Sequence, residues 1–224
     1  MASAAELVDL LVQKNKFTLN RMFRGHRDAS WSLQPQIDRQ EFVTYRKKFK
    51  WTRREHEEEL LNEFRKSVLP HVSLHPQSLW EEMALAQHHG LATRLLDWTS
   101  NPLVAMYFAV RDNSNSDSAV WYYKHAGPNS TDNSNPLSID RLVLFDPPHI
   151  TERIPAQSGR FVAYPGNIET PLQKGAKLEM FVIPNKHRRN IKKQLASLGV
   201  TESTLFPGID GTARNTNWYF SNSY

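Results

Sequence analysis

The chain has 224 residues, 39% hydrophobic and 23% charged, with 28 Lys and Arg against 23 Asp and Glu for a formal net charge of +5. That is enough for one large or two small domains of ordinary globular composition, and the mild positive excess suits a phosphate-bearing or polyanionic partner. The absence of cysteine excludes a disulfide framework, a thiol nucleophile and a cysteine zinc site, and fits a cytoplasmic protein.

Taken in chain order, Ala4–Gln13 reads as a short helix with Leu7, Leu10 and Leu11 on one face. Its apolar run is brief and has no basic flank, so neither a signal peptide, a membrane span nor a membrane partner is expected. Leu19–Arg24 reads as a strand that delivers Arg24 and Gly25 to its end. An arginine there needs a partner, and a glycine lets a turn, another segment or a ligand phosphate approach the backbone. Arg54–Val68 is an amphipathic helix with Leu60, Leu61, Phe64 and Val68 as its stripe, ended by Pro70. Leu79–His88 is a second helix closed by Gly90. Pro102–Arg111 is a third, with Asn101 as N-cap.

The chain then turns strand-rich, with Ala119–Tyr123, Leu142–Phe145, Arg160–Tyr164 and Glu179–Ile183 as strands. Lys124–Ser138, rich in Pro, Gly, Asn and Ser, reads as a surface loop. Asn185–Ser197 reads as a helix with Ile191 and Leu195 inward, stopped by Gly199. With no repeat and no linker, the expectation is a single α+β domain over residues 1–224, with its core at about 20–215. Its first half is helical and its second half strand-rich.

Two basic runs stand out, Tyr45–Arg54 and Asn185–Lys193. Each reads either as a solvated face or as a nucleic-acid footprint. In the first, Tyr45, Phe49 and Trp51 interleave the cations and suit either base stacking or the buried side of a helix.

The densest polar stretch is Ala86–Val110, where Gln87, His88, His89, Arg94, Asp97 and Thr99 stand between two apolar helices. Arg94 and Asp97 flank Leu95 and Leu96, so a partly buried Arg94–Asp97 pair is expected, because buried charges need partners. It either fixes a turn or floors a polar pocket. His88 and His89 are adjacent, so one of them faces a given pocket, as a general base or as a satisfied structural residue. Glu179 is either an exposed strand-end carboxylate or one that projects into a cleft opposite Arg24. Gln157 either hydrogen-bonds a ligand or caps a turn. There is no HExxH, Walker A loop, G-x-S-x-G elbow or metal-ligand spacing, so no metal is expected.

The segments MFRGH with WSLQPQIDR, QHHGLATRLLDWTSNPLVAMYFA, QSGRF and FVIPNKHRRNIKKQLASLGVTESTLFPGIDG together resemble the FRG-domain family of bacterial and phage proteins, from Phe23 to Ala213. Phe23-Arg24-Gly25 stands where the family has the triplet that names it. A more distant resemblance is to ADP-ribosyltransferases of the Arg-Ser-Glu type. Arg24-Gly25 resembles their first motif, Thr99-Ser100 with NPLVAMYFA a degenerate second, and Glu179 before MFVIP the third. The chain departs from that pattern at Asp97-Trp98-Thr99-Ser100, where Ser-Thr-Ser is usual. It departs again at Lys177-Leu178-Glu179, where the first position is usually Gln or Glu, which leaves Gln157 as an alternative counterpart.

This second resemblance implies an ADP-ribosyltransferase-like fold with NAD as substrate. Arg24 would hold the pyrophosphate in a forked geometry. Gly25, Gln87, Arg94, Asp97, Thr99 and Gln157 would line the nucleotide site, and His88 or Asp97 would shape the nicotinamide-ribose pocket. Glu179 would stabilise the ribosyl cation as nicotinamide leaves. The chain would then be a toxin or antiphage effector acting on a protein or nucleic-acid acceptor, with an antitoxin or regulatory partner. Two alternatives stay open: a non-enzymatic module sensing a nucleotide or phage component, and a metal-independent nucleic-acid hydrolase using His88 and Asp97.

Overall fold

Six strands organise the molecule: β1 (Arg21–His26), β2 (Leu95–Thr99), β3 (Ser118–Lys124), β4 (Val143–Phe145), β5 (Gly159–Ala163) and β6 (Lys177–Ile183). They form one antiparallel sheet in the order β4-β5-β2-β1-β3-β6. The computed structural model describes residues 1–13, 21–68, 76–126, 134–149, 151–166 and 175–221. The helices are α1 (Ala4–Gln13), α2 (Gln40–Lys48), α3 (Arg53–Val68), α4 (Leu79–His88), α5 (Pro102–Val110), α6 (Arg153–Ala156), α7 (Asn185–Ser197), α8 (Glu202–Leu205) and α9 (Ile209–Phe220). The fold is mixed α+β, with a helix-rich first half and a strand-rich later part.

The sheet is two halves joined at one point. β1 pairs β3 along its whole length, from Arg21↔Lys124 to His26↔Ala119, and β2 pairs β5 from Leu95↔Ala163 to Thr99↔Gly159. Between β1 and β2 the register has one couple, Phe23↔Thr99. Each half has its own helical cover on one face. Leu7 of α1, Ala105 of α5 and Ile191 of α7 pack on Phe23, Tyr122 and Ile183. Leu61 of α3 and Met83 of α4 pack on Leu95, Val143 and Phe161. On the opposite face Met22, Leu96, Trp98, Tyr123, Leu144 and Val162 make a third cluster that spans both halves.

Local chemistry sets the elements that frame the junction. α5 begins with Asn101 accepting from the Leu103 amide at 2.9 Å and with Pro102 in its first turn. It is almost wholly apolar and therefore central. α4 ends at Gly90, whose φ of +92° closes the last turn; Gly90 N and Leu91 N bond Gln87 O and Ala86 O.

Several elements differ from the sequence reading. Arg24 and Gly25 lie inside β1, because the strand continues along β3 to His26; Leu19 and Asn20 lie outside the described residues. The polar stretch read between α4 and α5 contains β2, whose even positions carry Leu96 and Trp98 into the third cluster. α2, α6, α8 and α9 add short helices that the apolar pattern did not announce. Residues 127–133 of the expected Lys124–Ser138 loop fall outside the described residues, and its end, Pro136–Ser138, is a 3-10 turn.

Candidate functional site

Where β1 and β2 part, a cleft of about 870 Å³ opens. Arg24 projects from β1 on the Met22 side of the sheet, and its side chain is 16% exposed. Its guanidinium reaches across the gap. Nη1 donates to the Asp97 carbonyl at 2.5 Å and lies 3.8 Å from Asp97 Oδ2. Burial pulls the group below the ordinary arginine pKa, and Asp97 opposes that pull.

Arg24 Nε donates to His26 Nε2 at 3.1 Å, and His26 Nδ1 lies 3.2 Å from both the Trp31 carbonyl and the indole Nε1 of Trp121. His26 is 4% exposed. Burial first, and then the nearby Arg24 charge, bring its pKa down from 6.5 to about 4. The folded state therefore binds fewer protons than the unfolded state between these values. Stability contributed by neutral His26 is present above pH 6.5 and is lost as pH falls toward 4. Urea unfolding at pH 7 and pH 4.5 is expected to show a loss to which His26 contributes on the order of 2–3 kcal/mol, the part that His26→Gln removes. An unchanged pH slope in the variant would assign the loss elsewhere.

Two more guanidiniums, those of Arg39 and Arg153, line the cleft, and neither has a carboxylate partner among the described residues. Arg153 sits 5.4 Å from the Phe206 ring centroid. Two further arginines at the cleft are neutralised: Arg27 by Asp112 at 2.8 Å and Arg111 by Glu202 at 2.7 Å. Among the described residues the carboxylates lining the cleft are Asp97 and Asp112. Asp97 is 61% exposed and accepts from Gln87 Nε2 at 3.2 Å, while Gln87 Oε1 accepts from Thr93. His88 lines the cleft and its neighbour His89 is exposed. Burial, then Arg153 and His89, lower the His88 pKa to about 4, so its imidazole is neutral at neutral pH. No group of three or more His, Asp or Glu side chains among the described residues is arranged to hold a metal ion.

The structure brings Arg24, Gly25, Gln87, His88, Asp97, Thr99 and Gln157 to this cleft, but it changes several expected roles. Gly25 is required by α5: a Cβ there would lie 2.0 Å from Ala105 O and 2.6 Å from Ala109 N. Arg94 does not pair with Asp97. It is buried against Glu57, with Nε to Oε1 at 2.9 Å and Nη2 to Oε2 at 2.5 Å, and it braces the Pro136 carbonyl. The reason is position, since Arg94 precedes β2 and turns toward α3, whereas Asp97 faces the gap. Thr99 and Gln157 form a strut: Thr99 Oγ1 donates to Gln157 O, and Gln157 Nε2 donates to Leu205 O.

Glu179 is not part of the cleft. Cross-strand partners share a face, and the register aligns Phe23, Tyr122 and Glu179 in one row and Arg24, Trp121 and Met180 in the next. Glu179 therefore points to the α5 side, two strands from Arg24, and it pairs with Lys177. The second basic run is partly internal. Arg188 is buried and donates to the carbonyls of Arg27 and Asp112, and Lys192 donates to that of Arg111.

Arg39, Arg153, Trp31 and Phe206 were missed as cleft residues. Arg39 and Trp31 stand in the same short stretch as Arg24, but nothing in their spacing tells which way they face. Arg153 and Phe206 arrive from distant parts of the chain. No curated protein and no solved structure matches the chain. Residues 20–118 match the family model of the FRG domain, and this segment, which supplies Arg24, Arg39, His88 and Asp97 to the cleft, makes the FRG domain the family to which the chain is similar.

Proposed function

We propose that the cleft binds the phosphates of a nucleotide, with NAD as the first substrate to test. One observation carries this reading: Arg24, Arg39 and Arg153 face a single cleft, and the nearest carboxylate oxygen to Arg24 is 3.8 Å away. Arg39 and Arg153 have no carboxylate partner among the described residues and Arg24 has the long Asp97 pair, and in a partly desolvated cleft such guanidiniums favour a phosphate strongly, their planar fork matching its oxygens. Trp31 and Phe206 bring aromatic rings to the cleft wall, where Arg27 and Arg111 lie over them at 5.2 and 4.5 Å, and the volume suits a dinucleotide.

As an ADP-ribosyltransferase the chain would break the bond between the nicotinamide nitrogen and the ribose carbon. Nicotinamide would leave with the bonding pair. Asp97, in the position first assigned to Glu179, would stabilise the cation. An acceptor in protein, nucleic acid or water would form the new bond and give its proton to neutral His88. Such an activity would suit a toxin or antiphage effector held in check by an antitoxin. The exposure of Asp97, at 61%, favours a second reading, a nucleotide sensor without turnover, because a solvated carboxylate stabilises a cation weakly.

Calorimetric titration with NAD, ADP-ribose and pyrophosphate tests the site. Arg24→Ala and Arg24→Lys are each expected to weaken binding at least about tenfold, because lysine keeps the charge but loses the fork. Full affinity in Arg24→Lys, or no binding of any of the three ligands to the unmodified protein, would overturn the reading. Nicotinamide release on incubation with cell lysate separates enzyme from sensor.

A further inference from the structure

We infer that the aromatic surface formed by α2 and the start of α3 is a docking site for single-stranded nucleic acid. α2 buries none of its residues. Its rings pack on one another instead. Phe49 stacks on Trp51 at 5.2 Å and 29°, and Tyr45 stacks on His56 at 5.4 Å and 21°. Tyr45 and Phe49 touch at 4.8 Å, yet they remain 48% and 45% exposed. Lys47, Lys48 and Lys50 are exposed around this array with no carboxylate partner among the described residues, and Lys48 Nζ lies 5.5 Å from the Phe49 centroid. Arg46 and Arg53 turn inward to Asp38, so the lysines are the cations left for a ligand.

The backbone carries a second, independent sign. α2 ends with Lys50 N bonding Lys47 O and Trp51 N bonding Arg46 O, and Lys50 has a φ of 58°. This is the left-handed helix stop that normally takes glycine. The same chain uses glycine in the same arrangement after α4 at Gly90 and after α7 at Gly199. A lysine at this position is strained, and the stop folds Trp51 back onto Phe49. The strained residue is the lysine that stands between Phe49 and Trp51 in the chain.

Ring faces alternating with lysines match single-stranded bases and phosphates. A lipid surface fits less well, because the exposed large apolar side chains of this patch are Tyr45 and Phe49, with no exposed Leu, Ile or Val among the described residues of α2 and α3.

The test is fluorescence anisotropy of the full chain with a labelled 15-nucleotide oligouridylate, beside vesicles rich in phosphatidylserine. Phe49→Ala is expected to weaken oligonucleotide binding about tenfold. Lys50→Gly is expected to weaken it about threefold and to flatten the salt dependence by about 0.7, while raising the melting temperature. Higher stability with lower affinity is a combination that a merely structural lysine would not give. Arg24→Ala should leave this binding unchanged. No oligonucleotide binding at low salt, equal affinity in Phe49→Ala and Lys50→Gly, or vesicle binding abolished by Phe49→Ala would overturn the inference. So would loss of oligonucleotide binding in Arg24→Ala alone, which would place the strand in the cleft and leave the nucleotide reading standing.

Discussion

Replacing Gly25 with alanine is expected to destabilise the protein by roughly 3 kcal/mol or more, at the upper end for overpacking a core. The added methyl would sit 2.0 Å from the Ala105 carbonyl oxygen and 2.6 Å from the Ala109 amide nitrogen. Both are backbone atoms of α5, so no rotamer change relieves the clash. β1 and α5 would have to separate, and with them the packing of Phe23 on Val104 and Ala105 in the first core cluster. At about 2–4 °C per kcal/mol for a chain of this size, the melting midpoint should fall by about 10 °C. If Gly25 were small to admit a ligand instead, alanine would abolish nucleotide binding and leave the midpoint in place. A thermal melt beside a titration separates the two outcomes.

The second large effect is expected at Glu57. Glu57 and Arg94 are each 2% exposed and form a two-bond pair. Arg53 Nη1 lies 3.5 Å from the same carboxylate, and Arg53 also grips Asp38 through two bonds of 2.8 Å. This chain of alternating charge ties α3 to the start of β2 and, through Arg94 to the Pro136 carbonyl, to the 3-10 turn. Glu57→Ala should cost about 3–5 kcal/mol, because it strands the Arg94 charge in a buried site. Glu57→Leu combined with Arg94→Met should cost less than the sum of the single changes. Urea unfolding of the four proteins measures the coupling, and simple additivity would show that the two side chains act independently.

The Leu61 and Phe64 side of α3, the capped start of α5 and the glycine stop of α4 were legible in the sequence, because each depends on side chains a few residues apart. So were the strands β3, β4, β5 and β6, within one or two residues at each end. β2 was hidden because five residues with Asp97 at their centre do not look like a sheet interior, and it becomes one by pairing with β5. The importance of Arg24-Gly25 was equally visible, and of the partners left open for Gly25, a turn, another segment or a ligand, the structure packs α5 against it. A glycine records that something comes close without recording what does.

By itself the sequence determined α1, α3, α4, α5 and α7, most of the strands, the α+β class and the polar segments that meet at the cleft, because periodicity and caps are local interactions. Only the tertiary structure decided which charges meet. It set Arg94 on Glu57 rather than Asp97. It put Glu179 on the far face from Arg24, through a register that one residue of slip would have reversed. It brought Arg39 and Arg153 to the same cleft from separate parts of the chain. Pairing of distant charges depends on strand register and on the direction each side chain leaves its element, and neither quantity exists until the sheet has formed.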